Sequence, residues 1–143
     1  MLKKRFLLGM LALVFGFAVV GCETPAGEPG NISGYTFEFR VENHLWGVSN
    51  VNITQVEIFN GPNTNSQVLA AETFDISPGQ MSNVYRVVGF TDRDGSDKRI
   101  YGVRVTCENG ATSFGYSSST NGSKIHVTAS AWWSGVTFHS GTW

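Results

Sequence analysis

Helical spacing, catalytic motifs and basic patches are all missing from this sequence. No stretch carries apolar residues at helical spacing over three turns, which argues against a helical domain. No Gly-x-Ser-x-Gly elbow occurs, and no acid, base and nucleophile set can be assembled, so the chain reads as a non-enzyme that calls for no cofactor. Cysteine is scarce: Cys22 and Cys107 are the only two, too few for a disulfide framework. No internal repeat is visible. Lys and Arg total 10 against 11 Asp and Glu, without the basic patch that a phosphate backbone needs, which argues against nucleic-acid binding.

What is present begins with Lys3-Lys4-Arg5, followed by Phe6 to Val20, a run without charged or polar side chains. A basic start, a short apolar run and a small residue at the cut form the layout of a secretory signal. The alternative is a membrane-spanning helix, which needs about 20 apolar residues. This run is shorter, Gly9 and Gly16 weaken its helix, and no basic cluster follows it.

The run ends Val19-Val20-Gly21-Cys22. This resembles the lipobox of bacterial lipoproteins, with Val19 where Leu is usual and Val20 where a small residue is usual. The resemblance implies cleavage after Gly21 and a diacylglyceryl thioether on Cys22. It makes the membrane a partner through that lipid, since each buried CH₂ contributes about 0.8 kcal/mol. Residues 1–21 are then the signal peptide. Glu23 stands where Asp would favour inner-membrane retention, so the resemblance points to a cell-envelope address at the outer membrane or cell surface rather than the inner membrane. All three basic residues of the signal go with it and no acidic ones, leaving a balance of −4 for 22–143.

Residues 23–34 (ETPAGEPGNISG) are rich in Gly and Pro and poor in large apolar side chains, so 22–34 reads as lipidated Cys plus flexible tether. From Tyr35 the dominant period is two. Tyr35, Phe37, Phe39 and Val41 alternate with Thr36, Glu38, Arg40 and Glu42, giving one apolar and one wet face. Strands are expected at 35–42, 51–59, 67–73, 82–91, 99–107, 111–117, 124–131 and 135–140, with turn signals between them. Asn109-Gly110 predicts a hairpin with a type I′ turn. Seven or eight such strands over 35–143 predict an immunoglobulin-like antiparallel β-sandwich. The likeness is architectural, because the Cys–Trp–Cys set of true immunoglobulin domains is absent. Ile53, Val56, Ile58, Ile76, Pro78 and Gly79 also form a pattern similar to that of small, mostly secreted bacterial β-sandwich modules.

Several residues bear on function. With Cys22 lipidated, Cys107 has no intrachain partner; alternation places it with Tyr101, Val103 and Val105, as a small buried residue or else a reactive or cross-linking thiol. His126 and His139 flank a predicted hairpin, yet two imidazoles without a third ligand make no zinc site, and no metal is expected. Asp92 to Asp97 hold three carboxylates around Gly95. An EF-hand counted from Asp92 would meet Ser96 at position 5 and Val103 at position 12, so a charged hairpin tip is expected instead. Trp46, Trp133 and Trp143 are candidate ligand contacts, because Trp is enriched where proteins grip partners. Their alternative role is to close the core or lie against lipid headgroups. The expected function is a non-catalytic binding or adhesion module for a glycan or protein. The alternative is an accessory subunit of an envelope complex with no ligand of its own. Oligomeric state is open.

Overall fold

The computed structural model describes residues 34–45, 50–130, 135–140 and 143. Gly21, Cys22, Trp46 and Trp133, together with the signal and nearly all of the tether, lie outside the described residues. Period-two alternation does produce strands: β1 (Tyr35–His44), β2 (Ile53–Asn60), β3 (Gln67–Ile76), β4 (Tyr85–Phe90), β5 (Arg99–Cys107), β6 (Thr112–Ser119), β7 (Lys124–Ser130) and β8 (Gly135–Ser140). They form two four-stranded sheets, ordered β4-β1-β7-β8 and β3-β2-β5-β6. The protein is an all-β sandwich.

The two inner faces are those the alternation assigns. Phe37, Phe39 and Val41 of β1 are fully buried, as are Ile125 and Val127 of β7. Ile53, Val56 and Ile58 of β2 and Val103 of β5 meet them from the other sheet in the same core. An aromatic knot sits at the centre. Phe37 lies 4.5 Å from Phe90 and 5.3 Å from Tyr101 between ring centroids, and Phe39 lies 5.6 Å from Tyr101. Such tilted and edge-on pairs add to the stabilisation from burial alone. Cys107 is a free, buried thiol in this core. Burial, and secondarily Glu108, push its pKa up, so the thiol is a poor nucleophile.

Three details depart from expectation. β1 pairs with β7 in parallel, Glu38 opposite Lys124 through His44 opposite Ser130, so the sandwich is not antiparallel throughout. The long crossover a parallel pair requires is supplied by the five intervening strands. The Asn109-Gly110 hairpin forms, but not as a type I′ turn. Thr106 faces Thr112, the Cys107 N–H donates to Ala111 O, and the Gly110 N–H donates to Cys107 O at 2.9 Å. The loop therefore has three residues, 108–110, with Gly110 at φ +81°, and glycine takes the left-handed position that closes such a loop. Lastly, β4 starts at Tyr85 rather than 82, because the Ser82 side chain intrudes. Its Oγ accepts the Val41 N–H at 2.9 Å, where a ladder carbonyl would otherwise sit.

On the outer face of the second sheet, Glu57 and Arg104 form a fork of two hydrogen bonds, 2.6 and 2.7 Å long. The Arg104 hydrogen bond holds the Glu57 carboxyl below its usual range, against an opposing push from burial. A carboxyl whose folded pKa is depressed contributes stability that is present above the unfolded value of about 4.3 and lost as pH falls below it. Thermal melts of wild type and Glu57→Gln should therefore differ at pH 7 and converge as the pH is taken from about 5 to 3.

Candidate binding site

The hairpin β5–β6 determines what the free edge of the second sheet presents. Register puts Phe114 opposite Arg104 and Tyr116 opposite Gly102, all four on the outward face. Gly102 has no side chain to cover its neighbours. A Cβ there would come within 2.7 Å of the Phe114 ring and 2.9 Å of the Gly61 carbonyl, so glycine is what lets Phe114 lie down over β5. Phe114 then packs edge-on against Phe59, 5.7 Å away. Tyr116 gains no such cover and stands 62 % exposed.

Tyr116 divides two hollows. One, about 500 Å³, is lined by Pro62, Asn63 and Thr64 from the β2–β3 loop, Phe114 to Tyr116 on β6, and Val136 and Phe138 on β8. Gly115 forms its floor between the sheets, where a Cβ would come within 2.9 Å of the Phe138 ring and 3.0 Å of the Val136 carbonyl. The other hollow, about 210 Å³, is lined by Asp94, Ile100, Tyr116, Ser117 and Ser118. Hydrogen bonds from Ser118 first, then from Ser96, hold Asp94 down at a pKa of about 2. Its carboxylate is thus a fixed acceptor beside the ring. The Asp92–Asp97 segment is a hydrogen-bonded turn with Gly95 at φ +90°, but it connects β4 and β5 of different sheets and is flanked by a single Arg93–Arg99 bridge instead of tipping a hairpin of paired strands. Chemically, the arrangement offers one exposed aromatic face flanked by an amide, hydroxyls and a carboxylate.

Trp143 is elsewhere. It is half-buried on the outer face of the first sheet, with the Arg40 guanidinium 5.3 Å and the Lys124 ammonium 5.8 Å from its ring centroid. His126 and His139 are direct cross-strand partners, their rings 6.4 Å apart. Glu42 lies 2.6 Å from His44 Nε2 and 2.8 Å from His126 Nε2. His44 and His126 thus share the Glu42 carboxylate with His139 beside His126, and no group of three or more His, Cys, Asp or Glu among the described residues is arranged to hold a metal ion. The sequence points to the tryptophans and not to Tyr116. The available signal was the outward pair Phe114 and Tyr116 on a strand otherwise made of Ser, Thr and Gly.

No protein-family model matches the chain, and no curated protein matches its sequence.

Proposed function

We propose that this protein is a lipid-anchored, non-catalytic binding module of the cell envelope, and that its ligand is a glycan gripped at Tyr116. The observation that carries the binding role is the exposed Tyr116 ring between two hollows edged by Asn63, Thr64 and Asp94. An apolar wall with a few well-placed polar groups is the usual make-up of a small-molecule site, and about 500 Å³ lies within the usual range of pocket sizes. A pyranose ring has an apolar face for the phenol and hydroxyls for the amide and carboxylate. Screening the full chain in detergent on a glycan array, beside Tyr116→Ala, tests this. Truncating a central aromatic anchor should weaken a specific signal at least about tenfold. A specific signal unchanged in the variant would remove the site.

The anchor rests on the sequence from Lys3 to Cys22. With Cys22→Ser, the chain should move from the membrane fraction to the soluble one. Retention in the membrane would contradict a lipid on that residue. The Glu23 position supports an outer-membrane or surface address.

A second reading, an accessory subunit of an envelope complex, is favoured by a different feature. Met81, Val84 and Val88 are exposed at or just before edge strand β4, and exposed apolar side chains on a strand edge suit a protein partner. Stable co-purification of a partner lost on Val88→Lys would support it.

A further inference from the structure

The outer face of the first sheet carries a row the groove does not use. Arg40 of β1 faces His126 of β7, which faces His139 of β8. Three neighbouring strands thus bring one guanidinium and two imidazoles into line, over about 10 Å at a strand spacing of about 4.8 Å. Trp143 and Lys124 lie against it. Lys124 reaches a carboxylate only at 3.9 Å. Arg40 pairs with no carboxylate among the described residues, and its Nε is shielded from solvent without a hydrogen-bond partner. Arg40 therefore holds its charge against the Trp143 ring with part of its donor capacity unmet.

We infer that this row is a binding site for an extended acidic polysaccharide, with carboxylate or sulfate groups received by Arg40 and the exposed His139, while Glu42 holds His126 Nε2 at 2.8 Å. The length of the row favours a chain with repeated acidic groups over a single phosphate. Charge favours the same class. Glu38 and Glu42 flank the row along β1, one on each side of Arg40, and they repel a broad anionic surface such as a bilayer while leaving a narrow track between them. The aromatic ring beside the cations suits a sugar unit, and guanidinium is the side chain best shaped for carboxylate and sulfate. The site stands on residues other than those of the Tyr116 groove, so either can hold without the other.

The test uses the full chain in detergent, with polygalacturonate as the acidic probe. Dextran, duplex DNA and phosphatidylglycerol vesicles serve as comparisons. Arg40→Gln and the exposed His139→Gln are measured beside wild type, with melting curves to establish that each is folded. Polygalacturonate should bind in a salt-sensitive manner and dextran should not bind at the row. Arg40→Gln should weaken the acidic probe about tenfold, and His139→Gln should weaken it less. The inference is overturned if polygalacturonate does not bind, if folded variants bind it as wild type does, or if DNA or vesicles bind through Arg40 as tightly.

Discussion

Replacing Asn43 with Ala should cost about 3–5 kcal/mol of unfolding free energy, although the side chain touches no ligand surface. Asn43 is fully buried at an inward position of β1. Its Nδ2 donates to Val51 O at 2.9 Å and to Ile76 O at 2.7 Å, and its Oδ1 accepts the Leu45 N–H at 2.9 Å. Its own N–H donates to Gln80 O, and its carbonyl accepts from Gly79. One residue thus ties the end of β1 to the start of β2, the end of β3 and the turn after it, across both sheets. The alanine variant keeps the two main-chain bonds but orphans two carbonyls and one N–H. Each buried orphan costs about 1–3 kcal/mol. Urea unfolding should show a lower midpoint with an unchanged slope. A loss under about 1 kcal/mol would mean that water replaces the amide.

Phe37→Ala should be comparably severe, at about 3–5 kcal/mol. Phe37 is fully buried and has Phe90, Tyr101, Phe39 and Tyr35 within 6.5 Å between ring centroids. The cavity would open at the centre of the sandwich, where aromatic rings on both sheets cannot close in without leaving their rotamers. Phe37→Leu should cost markedly less, because it retains much of the volume. Tyr101 supplies a second readout. Burial pushes its phenol up to about 12, with the Ser117 hydrogen bond pulling the other way. A tyrosine raised in the folded state contributes stability that is complete below about pH 10 and lost as pH rises through the folded value. In Phe37→Ala the phenol should titrate closer to 10, because water reaches it. A domain of this size has about 5–15 kcal/mol in total, and Cys107 is a free thiol, so either substitution removes a large share.

The strands were legible in the sequence because a half-buried strand writes its burial as alternation. Tyr35 to Val41 and Tyr101 to Cys107 show this plainly, and the turns between strands carry their Gly and Asn signals. The parallel β1–β7 pair was not legible, since nothing local records which strand a distant one will join. Asn43 escaped for a related reason. A polar residue at an inward position reads as the end of an apolar pattern, and its acceptors at 51 and 76 come from elsewhere in the chain. The Tyr116 groove is non-local too. It needs the β2–β3 loop and β8 to arrive beside β6, and it needs Gly102 to leave Tyr116 uncovered. Of the candidate tryptophans, Trp46 and Trp133 lie outside the described residues, and Trp143 packs beside Arg40 and Lys124. The proximity of His126 and His139 was legible, because both lie on strands joined by a short connection.

The central claim, that the ligand surface is the Tyr116 groove at the β6–β8 side of the sandwich, is tested most directly by mapping amide chemical shifts of the ¹⁵N-labelled chain on addition of a glycan that the array selects. Saturable shifts should concentrate at residues 61, 63, 64, 114–118 and 138. Shifts confined to other parts of the sandwich, such as β3 and the outer face of β4, would contradict it.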